Sequence, residues 1–284
     1  MSRVEAFYDS HAENEWTRLE RHRTEFAVTM RALVEHLPKP PARVLDVGGG
    51  PGRYAIALAG RGHQVTLLDL SANLLAVARE RAAEARVTLD DYVHGNALDL
   101  TAFGRDSFDT VLLMGPLYHL LTPADRRRAV RQAARVLRPG GLLFASFISR
   151  YAPFRDVAKY EPEWLVQHAG KAAKLLTTGT LPSPEGFTDA HFAHPSEIRP
   201  LFRATGLSVV DLVACEGVVS MIEDKINEAT GEVWEAWVDL NYRLGKDPSV
   251  HGAAEHLLAV ARKPRPRKPV VHKPAARKPV KGKK

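Results

Sequence analysis

Apolar positions along the chain recur with two different periods. In ENEWTRLERHRTEFAVTMRALVEHLP, residues Trp16, Leu19, Phe26, Met30, Leu33 and Leu37 fall at helical spacing, with Arg18, Glu20, Arg21 and Glu25 among the polar positions between them. Pro38, Pro40 and Pro41 end that helix. Short β-rich runs then follow at 43–47, 64–69, 92–95, 108–114, 142–149, 207–214 and 256–262. Helical patterns lie between several of them, at 53–60, 72–85, 123–137 and 196–205. Continuous apolar strands that alternate with helices predict an α/β fold: a mostly parallel sheet buried on both faces, in three α/β/α layers.

Local punctuation agrees with this order. Thr122 is a helix cap followed by Pro123 at the first helical position and Asp125 in the first turn, while Pro139, Gly140 and Gly141 close that helix. Ser71 caps a helix built on Leu74, Leu75, Val77 and Ala78, and Gly206 stands at a helix C-terminus. Two segments interrupt the alternation. Residues 150–195 carry Tyr151, Phe154, Tyr160, Trp164, Phe187 and Phe192, which suits either a lid or an extension of the core. Residues 218–243 predict a further helix carrying Ile222, Ile226, Val233, Trp237 and Leu240. The expected organisation is therefore a covering helix over 1–38, one domain over 39–262 with insertions at 150–195 and 218–243, and a tail over 263–284.

Charge separates the tail from the body. From Arg262 onward the chain holds 11 of the 40 Lys and Arg and none of the 33 Asp and Glu, so the body has 29 basic against 33 acidic residues. Five prolines and little apolar surface make the tail an expected disordered segment, either solubilising or weakly attracted to nucleic acid or another acidic surface. The opening MSRVEAFYDSHAENEW lacks the basic and apolar blocks of a secretory signal, and no apolar run reaches membrane length, so a cytoplasmic location is expected. Cys215, the single cysteine, excludes an intrachain disulfide and reads as a buried small residue.

The chemistry begins at VLDVGGGPGRY. Gly48, Gly49, Gly50 and Gly52 clear side chains from the first strand-to-helix turn, where backbone N–H groups of the helix starting near Arg53 face a ligand. At an open parallel sheet this is the crevice in which ligands bind. Asp69 ends the next strand, placed to accept both hydroxyls of a ribose. These features suit nicotinamide and adenosyl cofactors alike. Asp46 tips the balance, since an acid beside the glycines opposes a pyrophosphate and tolerates a cofactor with an ammonium or sulfonium group. It equally admits a structural role, tying down loop N–H groups.

VLDVGGGPGRY, LLDLS, GNALDL, SFDTVLLMGPLYHL and RVLRPGG, in this order, resemble the motif set of class I S-adenosylmethionine-dependent methyltransferases. The resemblance is tight over residues 40–149 and implies a Rossmann-like, seven-stranded sheet whose last strand is antiparallel. It implies S-adenosyl-L-methionine as cofactor, with the glycine loop against its methionyl part and Asp69 and Leu70 at the ribose. Asn96, Ala97 and Leu98 would lie against adenine, with Asn96 where many relatives have Asp, and Met114 and Gly115 would form the floor. Tyr54 is a cofactor neighbour or a ring packed under the N-terminal helix.

Methyl transfer is an in-line displacement that alignment can drive, with a general base needed only for a protonated acceptor. His119 is the first candidate base, or else an orienting or structural histidine, and Tyr118 is a hydrogen-bond donor or a packing ring. Tyr8, Trp16, His191 and His194 are candidates for the acceptor site, the first two through closure of the N-terminal helix. No metal is assigned, because DAHFAHP offers only Asp189 as a third ligand. The resulting expectation is a methyltransferase acting on a small molecule. The alternatives are an RNA or protein methyltransferase recruited by the tail, a nicotinamide-dependent oxidoreductase, and a noncatalytic adenosyl-binding protein.

Overall fold

The computed structural model describes residues 3–12, 15–17, 22–181 and 188–266. Leu19, Phe187 and the tail beyond residue 266, all named above, lie outside that set.

The chain opens with helices α1 (Arg3–Ser10) and α2 (Arg23–His36). It then alternates through β1 (Arg43–Val47), α3 (Arg53–Ala59), β2 (Gln64–Asp69), α4 (Ala72–Glu84), β3 (Asp91–His94) and β4 (Phe108–Leu113). The short α5 (Pro116–His119) and then α6 (Pro123–Val136) lead to β5 (Leu137–Ile148). The first insertion forms α7 (Ala152–Tyr160), α8 (Trp164–Gln167), α9 (Ala169–Thr178) and the small strands β6 (Thr180–Leu181) and β7 (Ala190–His191). The remainder is α10 (Pro195–Arg203), β8 (Ser208–Ala214), α11 (Glu223–Asn227), α12 (Gly231–Gly245) and β9 (His256–Arg262).

Seven strands form one sheet in the order β3-β2-β1-β4-β5-β9-β8. β1 pairs in parallel with β2 and β4, and β9 runs antiparallel to both β5 and β8. The expected sheet with an antiparallel last strand is thus observed. Its central strands are buried on both faces, which explains why they read as continuous apolar runs and not as alternating ones. One face is covered by Val130 and Ala133 of α6 and Phe202 of α10. The other is covered by Leu33 of α2, Leu58 of α3, Leu75 of α4 and Tyr242 of α12.

The N-terminal expectation needs correcting. The amphipathic pattern corresponds to α2, whose Val28, Ala32 and Leu33 are fully buried, so this helix belongs to the core layer. The covering element is α1, a separate eight-residue helix at the start of the expected 1–38 helix that buries no side chain completely. The segment Pro139-Gly140-Gly141 also behaves differently. Thr122 accepts from the Asp125 N–H and caps α6 as expected. The strand, however, already pairs at Leu137 with Phe108, and the register then shifts before Leu142 meets Thr110. Residues 218–243 hold two helices and a 3-10 turn in place of one helix.

Candidate functional site

β1, β2 and β4 end side by side, and the loops that follow them enclose a cavity of about 330 Å³. This is the crevice expected at the carboxyl ends of parallel strands. Its walls include Asp46, Gly48, Gly49, Gly50 and Tyr54 from the first strand and its loop, and Asp69 and Leu70 from the second. Asn96, Ala97 and Leu98 follow β3, and Met114, Gly115, Tyr118 and His119 follow β4. Fifteen predicted residues meet here once Tyr8 of α1 is included.

The close approach of the loops requires glycine at two positions. Gly48 has φ +69°, and a Cβ there would stand 2.6 Å from Cγ of Pro116. A Cβ on Gly49 would stand 2.5 Å from both Oδ2 of Asp46 and Cδ1 of Leu67. Gly52 plays a different part from the one predicted: it precedes α3 in the left-handed region and packs towards Ala78 and Leu67, outside the cavity wall.

The two acids divide the roles that sequence left open for one. Asp69 accepts from the Gly50 N–H at 2.8 Å through Oδ2 and from the Ser71 N–H at 2.9 Å through Oδ1. It therefore ties the glycine loop to β2, and each oxygen retains a lone pair for a further donor. Burial raises its carboxyl above the usual range, opposed by these backbone N–H donors. Asp46 is only 1% exposed, and its Oδ2 has no hydrogen-bond partner. Burial, then the neighbouring Asp69 charge, push its pKa up to about 7.

A raised carboxyl pKa means that folding takes up a proton, so this group's contribution to stability falls as pH rises from about 4 through about 7. A bound cation restores the carboxylate. Affinity for a cationic cofactor should accordingly rise roughly five- to tenfold between about pH 6 and about 7.5, with proton release at the lower pH. Asp46→Asn should flatten that dependence in calorimetry. An unchanged slope in the variant would remove Asp46 from contact with the cation.

α1 closes the mouth of the cavity through contacts at both ends. Arg3 Nη1 lies 2.9 Å from Oδ1 of Asp189, and the Tyr8 hydroxyl lies 2.7 Å from Nε2 of His119. Ser71 Oγ donates to the Asp9 carboxylate, and Asn73 Nδ2 donates to the Asp9 carbonyl at 3.1 Å. His119 Nδ1 donates to the Asp189 carbonyl at 3.2 Å, which leaves Nε2 as the acceptor for Tyr8. Burial lowers this ring's pKa to about 4, against a weaker raising effect from Asp189, so the imidazole is neutral at pH 7. Among the described residues, the insertion thus reaches His119 and α1 through Asp189.

Three predicted acceptor-site residues stand elsewhere. Trp16 packs under Arg53, 4.5 Å from the guanidinium, and does not border the cavity. His191 is buried in the β6–β7 hairpin, 3.4 Å from Glu197. His194 caps α10, accepting from the Ser196 N–H. The short spacing of the two histidines reflects this cap and its neighbouring ion pair. Tyr54 satisfies both readings, stacking 5.1 Å from Phe26 of α2 while bordering the cavity. Sequence reasoning missed Val4, Glu5 and Pro116 in the wall. Val4 and Tyr8 are four apart on α1, a spacing that marks one helix face.

A family model described as a methyltransferase domain matches residues 44–141, the span from β1 into β5. The chain is 36% identical over 173 residues to a ubiquinone biosynthesis O-methyltransferase of Xanthomonas campestris pv. campestris, across 61% of this chain and 65% of that protein. The chain therefore spans less than two thirds, 65%, of that relative's length. The protein of the same name from Xanthomonas axonopodis pv. citri is 35% identical over 185 residues, across 65% of this chain and 70% of the relative. The fold also matches a Burkholderia thailandensis 1,6-didemethyltoxoflavin-N1-methyltransferase, solved with 1,6-didemethyltoxoflavin and S-adenosylhomocysteine. The TM-score there is 0.53 at 19% identity, covering 91% of this chain and 85% of that one.

The chain belongs to the class I S-adenosylmethionine-dependent methyltransferase family. That membership sets aside the nicotinamide-dependent reading. No helix among the described residues is long and apolar enough to cross a membrane.

Proposed function

We propose that the protein transfers the methyl group of S-adenosylmethionine to a hydroxyl oxygen of a small molecule. The observation that carries this reading is the junction of the two halves of the cavity. The glycine loop and Asp69 suit a nucleoside at one end, and the Tyr8–His119 pair stands at the other, under α1. A cavity near the lower end of the roughly 300–1,000 Å³ range of small-molecule sites, capped by a helix, favours a small acceptor over a polymer. The O-methyltransferase names of the Xanthomonas relatives support oxygen as the acceptor atom.

The residues fit the cofactor. Asp69 would accept the ribose hydroxyls, and the unpartnered Asp46 Oδ2 would face the cationic methionyl end. Asn96 Oδ1 already accepts from the Leu98 N–H at 2.9 Å, which leaves its amide N–H groups for adenine. Met114 and Gly115, which line the cavity, would form the floor for the methionyl part. An acceptor hydroxyl entering below α1 takes the place of the Tyr8 hydroxyl as donor to His119 Nε2. S-adenosylmethionine would supply the methyl group to the acceptor oxygen and leave as S-adenosylhomocysteine, while Nε2 of His119 would take the acceptor proton. A ring with a pKa near 4 is a weak base, so proton transfer accompanies methyl transfer, when the hydroxyl becomes strongly acidic.

The test is a panel of hydroxylated, amine and thiol acceptors in which S-adenosylhomocysteine formation is followed. Turnover confined to hydroxyl acceptors supports the proposal, and turnover of amines or thiols alone contradicts it. With the true acceptor, His119→Ala should lower kcat by about 100-fold or more, the usual scale for a general base. Tyr8→Phe should chiefly raise cofactor Kd, by about tenfold, through loss of a lid hydrogen bond that holds α1 closed before the acceptor enters. Unchanged turnover in His119→Ala removes that residue from the chemistry.

A further inference from the structure

At the far edge of the sheet, three segments that are distant in sequence bring buried ionisable groups together. Glu25 lies in the first turn of α2, Glu216 follows β8, and His256 opens β9. Glu25 is 4% exposed and Glu216 0%, both well below the ordinary exposure of glutamate. One carboxylate oxygen from each and a ring nitrogen of His256 all lie within 4.8 Å of one another. His256 Nδ1 stands 2.7 Å from Oε1 of Glu216 and 3.7 Å from Oε2 of Glu25.

These separations suit a shared ion. Ligand atoms about 2.0–2.2 Å from a tetrahedral zinc stand roughly 3.3–3.5 Å from one another, and the two measured distances bracket that value. A second observation points the same way. Glu223, 5% exposed, has an Oε1 that is buried without a partner, while its Oε2 lies 3.4 Å from Nδ1 of His22. His22 feels Glu223, Glu25 and His256 together, so the orphaned carboxylate belongs to the same cluster. Glu255 adds a fourth acid, repelled by Glu216 and Glu223. Four carboxylates thus face two imidazoles and the Arg155 guanidinium, whose Nη atoms donate to the carbonyls of Gly252 and Ala254.

We infer that Glu25, Glu216 and His256 form a binding site for a divalent transition metal of the zinc class. A mixed carboxylate and imidazole donor set suits zinc or cobalt, whereas magnesium favours an all-oxygen octahedron. The ion replaces the hydrogen bond between His256 and Glu216 and pins the start of α2 to the β8 and β9 ends. The other convergent trio, Glu35, His36 and Asp211, is a poorer candidate because Lys246 Nζ already neutralises it, 2.9 Å from Glu35 and 3.1 Å from Asp211. Glu25 lies 191 positions from Glu216 and 231 from His256, so no local spacing betrays them. The site stands apart from the cofactor cavity, and the inference does not rest on methyl transfer.

The full chain, freed of metal with a chelator, is titrated with Co²⁺ at about pH 7.5. One saturable equivalent with visible d–d absorption, displaced by Zn²⁺, is expected, together with a Zn²⁺-dependent rise in melting temperature. Glu25→Gln and His256→Gln should each weaken Co²⁺ binding by about 100-fold, and His36→Gln should leave it unchanged. Cobalt-edge X-ray absorption of the unaltered chain, which needs no variant to fold, should show scattering from one imidazole. Absence of saturable binding, full affinity in Glu25→Gln, or a cobalt shell with no imidazole or with several would overturn the assignment.

Discussion

Asp69→Ala should weaken binding of S-adenosylmethionine and S-adenosylhomocysteine roughly 100- to 10,000-fold. Two ribose hydroxyls donating to one buried carboxylate contribute about 1.5–3 kcal/mol each, and tenfold in Kd corresponds to about 1.4 kcal/mol. The loss has a second source inside the protein. The substitution also releases the Gly50 and Ser71 N–H groups that Asp69 holds, so the glycine loop loses its anchor to β2. Asp69→Asn separates the contributions, since one amide oxygen can still accept from the loop while the charge is gone. Calorimetry with S-adenosylhomocysteine reads all three proteins, with the exposed Glu84→Ala as a control. A loss below about threefold in Asp69→Ala would place the ribose elsewhere.

The second large effect is expected at the glycines. Gly48→Ala places a Cβ on a residue with φ +69°, 2.6 Å from one carbon of the Pro116 ring and 2.7 Å from another. The left-handed conformation costs about 1–2 kcal/mol for an L-residue, and overpacking against a rigid ring about 1–3 kcal/mol more. Gly49→Ala pushes against the Asp46 carboxylate and Leu67, so the strain reaches the cofactor wall directly. Both variants should melt lower than the parent by on the order of 10 °C and bind cofactor at least about tenfold more weakly. Gly104→Ala, with nothing within 4 Å of the added carbon, is the matched control. Thermal melts and titrations equal to the parent in Gly48→Ala would show that the loop and α5 do not meet as described.

These two predictions draw on features that sequence displays well. The strand order follows from apolar runs whose burial on both faces erases alternation, and the ends of those runs place Asp46, the glycines and Asp69 on one edge of the sheet. The structural part played by Asp69 was not visible. A carboxylate at a strand end is legible as a ribose acceptor, but its bonds to Gly50 and Ser71 depend on how two loops fold against each other. α1 was legible only as part of one covering helix over 1–38, not as a helix of its own. Its Val4 and Tyr8 share a face, yet an eight-residue helix with no fully buried side chain carries little hydrophobic signal.

The opposite error arose at His191 and His194. Histidine suits an active site and the three-residue spacing is suggestive, but one lies 3.4 Å from the Glu197 carboxylate and the other caps the helix that carries Glu197. Both tasks arise from the same helix start and need no ligand. His119 became informative only with its partners in place. Neither the carbonyl of Asp189 nor the hydroxyl of Tyr8 is near it in sequence, and together they fix which nitrogen carries the proton.

The most direct measurement is a crystal structure of the full chain grown with S-adenosylhomocysteine. The account predicts its ribose hydroxyls on the Asp69 carboxylate, adenine beside Asn96 and Leu98, and its sulfur above Met114 with the open side towards Tyr8 and His119. A nucleoside bound away from Asp69, or a sulfur turned from the Tyr8–His119 mouth, would contradict it.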